Sequence, residues 1–171
     1  MTCPSPQPTR SKIALRDDAV ARVAAWRANG RRIAFTNGCF DLLHAGHVRT
    51  LEAARRHGDI LIVGVNSDES ARQLKGPGRP ILRERDRAEM LAALSCVDLV
   101  VVYPELGALS LIQALRPEVW VKGGDYLLET VNQEERAFVE SYGGQVALGE
   151  RVEGASSTDI IARVKQLPDS Y

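Results

Sequence analysis

The 171-residue sequence predicts an α/β fold: one domain built on a doubly wound, five-stranded parallel sheet. Three observations carry that expectation. Short apolar runs alternate with amphipathic helical stretches along the chain, the pattern of repeated strand–helix units. The runs are continuous, as in Ile60–Val65, which suits strands buried on both faces. A chain that is 44% hydrophobic and 26% charged is also long enough to enclose one core. It shows no internal repeat and no second-domain boundary.

The elements follow in order. Residues 1–11 begin Met-Thr-Cys-Pro-Ser-Pro-Gln-Pro, prolines among polar residues, and are expected as a disordered tail ahead of a domain over 12–171. Asp17 or Asp18 caps a first helix with Val20, Val23, Ala24 and Trp26 on one face and Asn29-Gly30 as its stop. Arg32–Thr36 is the first strand. A helix over His47–Arg56 turns Val48, Leu51 and Ala54 inward and ends at Gly58. Ile60–Val65 is the second strand. Residues 66–80, with Lys75-Gly76-Pro77-Gly78-Arg79-Pro80, are expected to be loop throughout. There follow a helix over Glu84–Ser95, a strand over Leu99–Val102, a helix over Ala108–Leu115 and a strand over Val119–Lys122. A helix over Asn132–Tyr142, a strand over Gln145–Leu148 and a helix over Ser157–Gln166 complete the chain. Such sheets bind ligands beyond the carboxyl ends of their strands, where strand order reverses. Four segments are therefore expected to meet: Asn37–His47, Lys75, Lys122–Tyr126 and Ser156–Thr158.

Composition narrows the function. Apolar runs such as Ile60–Val63 and Leu99–Tyr103 are too short to cross a bilayer. Three cysteines, Cys3, Cys39 and Cys96, form no CxxC pair, which points to a reducing, cytosolic compartment without a disulfide or zinc site. Net charge is zero but uneven. Residues 1–87 hold 16 basic and 9 acidic side chains, a balance of +7, and the remainder balances it at −7. That asymmetry fits either a solvated surface or a basic pocket for a polyphosphate. Scattered arginines and 5% aromatics do not make a nucleic-acid-binding tract.

The chemistry concentrates in residues 36–47, Thr-Asn-Gly-Cys-Phe-Asp-Leu-Leu-His-Ala-Gly-His, which hold two of the chain's three histidines. A strand, a glycine turn and a helix start direct free backbone N–H groups and a helix dipole at an anion. His44 and His47, three apart with Gly46 between them, point at one ligand. As donors to phosphate oxygens they would act where charge develops. An ordinary imidazole pKa of about 6.5 leaves them partly cationic near neutrality. The alternative is a metal pair completed by Asp41. Thr36, Asn37 and Gly38 can donate to the same anion, and Cys39, with no base placed to activate it, reads as a small filler. Asp41 either caps the next helical turn or holds magnesium beside the phosphates. Lysine is scarce, four against 18 arginines, yet Lys75 and Lys122 both fall in glycine-containing loops at strand ends, as a phosphate receptor requires. Arg87 stands in the first turn of a helix, where a cation opposes the dipole, a mild cost that hints at an anionic ligand. Ser156, Ser157 and Thr158 open the last helix and suit both a cap and a phosphate.

These residues resemble a known family. Gly38-Cys39-Phe40-Asp41 with His44-Ala45-Gly46-His47 resembles the HxGH signature of the cytidylyltransferase-like nucleotidyltransferases, and Gly154-Ala155-Ser156-Ser157-Thr158 resembles their C-terminal motif. The resemblance runs from Arg32 to Val164. Thr36-Asn37-Gly38, Val65-Asn66-Ser67-Asp68, Leu74-Lys75-Gly76, Arg79-Pro80 and Val121-Lys122-Gly123-Gly124-Asp125-Tyr126 are similar to the branch that adenylates heptose 1-phosphate, here in a stand-alone form without the sugar kinase often fused ahead of it.

The resemblance implies a Rossmann-like nucleotidyltransferase fold. It also implies a reaction in which ATP and a sugar 1-phosphate give ADP-sugar and pyrophosphate, with Mg2+. It implies small-molecule partners only, with no nucleic acid and no membrane, a cytoplasmic location and a separate sugar kinase upstream, and it allows a homodimer. His44 and His47 would stabilise the α-phosphate, with Lys75 binding phosphates across the site and Arg87, Ser157 and Thr158 holding the β- and γ-phosphates. Thr36, Asn37, Gly38, Phe40 and Ser156 would also contact the nucleotide, and Lys122, Gly123 and Asp125 would line its base and sugar side. Asp41 would sit near metal or substrate, and Asn66, Asp68, Lys75 and Tyr126 near the sugar phosphate. The attacking phosphate is already anionic, its second pKa being about 6, so no protein nucleophile is needed. Catalysis then reduces to positioning and charge neutralisation. Glycerol 3-phosphate cytidylyltransferases share both motifs, but Lys-Gly-Gly-Asp-Tyr fits the heptose branch better. A dinucleotide-binding domain would need G-x-G-x-x-G after the first strand, which is absent. A non-catalytic nucleotide sensor fits the intact HxGH poorly.

Overall fold

The computed structural model describes residues 8–123, 126–149 and 156–168. Six parallel strands form one sheet in the order β1-β4-β3-β2-β5-β6. They are β1 (Ile13–Ala14), β2 (Ile33–Gly38), β3 (Ile60–Asn66), β4 (Leu99–Tyr103), β5 (Val119–Lys122) and β6 (Gln145–Leu148). Among the described residues seven α-helices connect or flank them: α1 (Arg16–Ala28), α2 (Ala45–Arg55), α3 (Asp68–Lys75), α4 (Glu84–Ala92), α5 (Leu109–Leu115), α6 (Gln133–Ser141) and α7 (Ser157–Val164).

The sheet has one strand more than the five expected. The extra one, β1, is two residues long and pairs Ile13 with Val100 and Ala14 with Val101. Two residues carry no periodicity, so only the neighbouring strand defines it. A 3-10 turn over Thr9–Lys12 leads into it, reaching into the segment expected as tail. Residues 1–7 lie outside the described residues.

Three further expectations are corrected. Helix α1 buries Ala19 and Val23, with Trp26 partly buried, whereas Val20 and Ala24 face solvent. Neither Asp17 nor Asp18 caps it; the N-cap is Leu15, and both acids lie in the first turn. Residues 66–80 are not loop throughout, because α3 occupies Asp68–Lys75. The glycines and prolines of that stretch all lie past residue 75. Ahead of them Ser67 caps the helix, its side chain accepting from the Ser70 N–H.

The central strands divide the core into two layers, since successive side chains leave a strand on opposite faces. Ile33, Phe35, Ile62, Leu99, Val101 and Trp120 pack on one side with α1, α5 and α6. Ala34, Leu61, Val63, Val65, Val100, Val119 and Val121 pack on the other with α2 and α4. Burial on both faces explains why these strands read as unbroken apolar runs.

Strand β2 is central. From it the chain adds β3 and β4 to one side, then returns to add β5 and β6 to the other. The direction of winding reverses between β2 and β5, so a crevice opens above their carboxyl ends at Gly38 and Lys122.

Candidate active site

A cleft of about 960 Å³ occupies that crevice. It is lined by Thr36, Asn37, Gly38, Cys39, Phe40, Asp41, His44 and His47 after β2, and by Asn66, Lys75 and Arg79 on the β3 side. Lys122, Gly123 and Tyr126 come from the end of β5, and Ser156, Ser157 and Thr158 from the start of α7. All four segments expected to meet thus contribute to it. Asp125 lies outside the described residues.

The loop between β2 and α2 is shaped by Phe40, which adopts a left-handed backbone with φ 47°. Its ring meets the His47 ring edge-on, with centroids 5.3 Å apart. His44 is the N-cap of α2 and gives it no side-chain cap, so the free N–H groups of the first turn remain at the cleft. The His44 and His47 rings stack at 3.8 Å. Each has a buried Nδ1 with no partner among the described residues.

Burial lowers the pKa of both histidines. His47 falls to about 4, chiefly by desolvation, with His44 beside it adding to the shift. The expectation of partly cationic rings therefore does not hold for the free protein, in which His47 is neutral at pH 7. Folding excludes a proton that the unfolded chain accepts below pH 6.5, so this group costs no stability above that pH and an increasing amount as the pH falls toward 4. Acid unfolding followed by circular dichroism is expected to show stability declining across pH 6.5–4.

Beneath the cleft runs a buried polar network. Tyr103 donates to Asn66 Oδ1 and accepts from Asn37 Nδ2, both at 3.1 Å. Asn37 Oδ1 accepts from Trp120 Nε1 at 3.1 Å and Lys122 Nζ at 3.3 Å. Asn66 Nδ2 reaches Ser70 Oγ and the Glu105 carbonyl. The side chains of Asn37 and Asn66 thus join four strands, and both amide hydrogens of Asn66 go to Ser70 and Glu105 rather than to a ligand, the role expected from the sequence. Tyr103→Phe removes a hydrogen-bond partner from two amide groups, that of Asn66 buried, and a loss of about 1–3 kcal/mol in urea unfolding is expected.

Lys122 is the cation on the β5 side. Burial lowers its pKa, and its ammonium lies 5.1 Å from the Trp120 ring centroid and 5.3 Å from that of Tyr126. Asn37 Oδ1 is its one hydrogen-bond acceptor among the described residues. An ammonium so poorly solvated favours an anion beside it. Gly123 follows because the backbone there presses on α2: an added Cβ would come within 2.2 Å of Thr50 Cγ2. Thr50 lines the cleft too, and nothing in its local sequence marks it.

Three expected site residues are engaged elsewhere. Arg87, with a side chain 0% exposed, does not line the cleft. It donates from Nε to the Leu82 carbonyl at 3.0 Å, from one terminal nitrogen to the Cys39 carbonyl at 2.5 Å, and from the other to Asp68 Oδ1 at 2.8 Å. Asp68 also accepts from the Glu84 N–H, and it too lies off the cleft. Asp41 borders the cleft but is 2% exposed, and both its oxygens are taken. Oδ1 accepts from the Ile81 and Leu82 N–H groups at 2.7 and 3.0 Å, and Oδ2 from Arg79. It neither caps a helical turn nor offers a free oxygen to a metal. Among the described residues no three His, Cys, Asp or Glu side chains converge on a metal site. At α7, Ser156 caps the helix by accepting from the Asp159 N–H at 3.0 Å, and Ser157 donates to the Leu42 carbonyl at 3.3 Å. Burial pushes the Cys39 thiol pKa up, so it stays protonated, in keeping with a filler.

Residues 35–163 match the family model described as Cytidylyltransferase-like. The chain belongs to the cytidylyltransferase-like family. Among curated relatives of this cytidylyltransferase-like chain, "Bifunctional protein HldE" from Syntrophotalea carbinolica is 54% identical over 90% of the chain and 31% of its own length. HldE from Geobacter sulfurreducens is 51% identical with the same coverage. The chain thus spans about a third of the length of these relatives. Among solved structures, the lipopolysaccharide core biosynthesis protein of Thermoplasma volcanium superposes with a TM-score of 0.63 at 24% identity, over 72% of this chain and all of that one. The pantoate-beta-alanine ligase of Francisella tularensis superposes at 0.54 with 14% identity, over 90% and 76%. Both likenesses concern the fold. No helix among the described residues is long and apolar enough to cross a membrane.

Proposed function

We propose that the chain transfers AMP from ATP to a sugar 1-phosphate, heptose 1-phosphate in the first instance, giving ADP-sugar and pyrophosphate. The observation that carries this reading is the HxGH pair at the start of α2, facing Lys75, Lys122 and the α7 start across one crevice. Likeness to the bifunctional HldE proteins over nine-tenths of the chain supports the heptose branch.

In this reading His44 and His47 donate from their rings to the α-phosphate as its phosphorus gains a fifth oxygen. Lys75, exposed at the end of α3, and Lys122 on the β5 side neutralise phosphate charge. Thr158 and the free N–H groups of α2 and α7 add donors. The substrate's own phosphate attacks, and pyrophosphate leaves. Gly38 and Phe40 shape the nucleotide's seat, and Tyr126 covers its β5 side. With Asp41 fully engaged, the described residues offer no cage for Mg2+. The ion would arrive on the triphosphate, held by phosphate oxygens and water. The remaining two thirds of the HldE relatives leave room for a second activity, and a sugar kinase activity upstream would supply the acceptor.

The test is a panel of four nucleoside triphosphates against heptose 1-phosphate, other sugar 1-phosphates and glycerol 3-phosphate, with pyrophosphate release as readout. ATP with heptose 1-phosphate is expected to turn over fastest. Turnover of CTP with glycerol 3-phosphate alone would move the chain to the glycerol 3-phosphate branch. Polyphosphate beside His47 raises its pKa from about 4, so ATP binding is expected to take up protons just above that pH and to weaken as the pH rises through the raised value. Calorimetry in buffers of different ionisation enthalpy measures that uptake.

A further inference from the structure

Arg79 is absent from every role assigned so far, yet it lines the cleft with a side chain 17% exposed. Its Nε is tied to Asp41 Oδ2, and Asp41 is itself pinned by the Ile81 and Leu82 N–H groups. A guanidinium carries five N–H donors in a rigid fork, and Nε–H supplies one of them. The four on the terminal nitrogens have no protein partner among the described residues. The chain is also shaped to bring the side chain there. Gly76 and Gly78, at φ 90° and 81°, fold the segment after α3 back toward the β2–α2 loop.

A merely structural ion pair would not need that arrangement. Asp41 already receives two backbone N–H groups, and guanidinium–carboxylate pairing alone is met by a fully covered arginine, as Arg87 shows with its 0% exposed side chain. Arg79 instead keeps a planar pair of nitrogens at a cleft wall, oriented by a buried carboxylate. That geometry matches the two oxygens of a phosphate monoester.

Its place in the cleft selects between the two phosphate-bearing substrates. Lys122 and Tyr126 lie on the β5 side of the cleft, where an aromatic ring beside a cation suits a nucleotide. Arg79 follows β3 and Lys122 ends β5, on either side of β2, whose carboxyl end leads to the histidine pair. Displacement at the α-phosphorus requires the entering and leaving oxygens on opposite sides.

We propose that Arg79, held by Asp41, receives the phosphate of the acceptor substrate and sets its line of attack. The proposal deepens the nucleotidyltransferase reading and rests on it. The closing experiment compares wild type, Arg79→Gln and Arg79→Lys by steady-state kinetics. Direct binding of ATP and of heptose 1-phosphate is also measured by calorimetry, with melting curves to confirm folding. For Arg79→Gln, the KM for the sugar phosphate is expected to rise at least tenfold, with the KM for ATP and its calorimetric Kd within twofold of wild type. Arg79→Lys restores charge without the fork and is expected to recover only part of that loss. Unchanged acceptor affinity in Arg79→Gln, or a loss that falls on ATP instead, overturns the proposal. If wild type binds both ligands but transfers nothing, the reaction reading fails, and the acceptor Kd of Arg79→Gln still decides the role of Arg79. If wild type binds no sugar phosphate at all, both fail.

Discussion

His47→Ala is expected to lower the rate of pyrophosphate release by about 10²–10³-fold while leaving a cooperative unfolding transition near that of wild type. The His47 ring is held by packing: Phe40 at its edge, His44 on its face. Its Nδ1 makes no hydrogen bond among the described residues, so truncation breaks none there. What is lost is a donor already placed where negative charge grows on the transferring phosphate, in a region where burial has stripped the ring of water. Because the free ring is neutral, with a pKa near 4, this donor needs no proton exchange before the nucleotide arrives. Stopped assays of pyrophosphate, set beside urea unfolding, separate the two effects. A rate within threefold of wild type would remove His47 from the chemistry.

Arg87→Met carries the opposite signature. About 3 kcal/mol of stability is expected to disappear, read as a drop in the urea midpoint, and any loss of rate should follow the loss of folded protein. Arg87 joins three segments that are remote in sequence: the β2–α2 loop through Cys39, the loop before α4 through Leu82, and the start of α3 through Asp68. Methionine fills most of the volume but leaves two carbonyls and a carboxylate without their donor. Asp68 is a third exposed and recovers part of its loss from water, which holds the figure below that of a fully buried pair. A variant of wild-type stability that has lost affinity for ATP would instead return Arg87 to the phosphates, the role expected from the sequence.

The contrast between these residues shows what local sequence can carry. HxGH was legible because its meaning is local: a strand, a glycine turn and a helix start set two rings at one helix terminus. The long strands were legible because burial on both faces leaves an unbroken apolar run in Ile60–Asn66 and Leu99–Tyr103. From strand–helix alternation came the reversal of strand order, and with it the four segments that meet in the cleft.

Tertiary structure decided the rest. Strand β1 exists only because Val100 and Val101 offer partners to two residues. Helix α3 was hidden behind glycines and prolines that all lie after its last residue. Which polar side chains face a ligand was beyond local reading, since the partner that removes each from the cleft is distant in the chain. Asn37 is turned inward by Tyr103, 66 residues away, and Arg87 by Cys39, 48 away. Asp41 is closed off by Arg79, 38 away. By itself the sequence determined five of the sheet's six strands, the reversal and the histidine corner, because periodicity and turn chemistry are properties of neighbours. Only the folded chain could assign each charged group to a ligand or to the protein, because that choice depends on which donors and acceptors long-range packing has already satisfied.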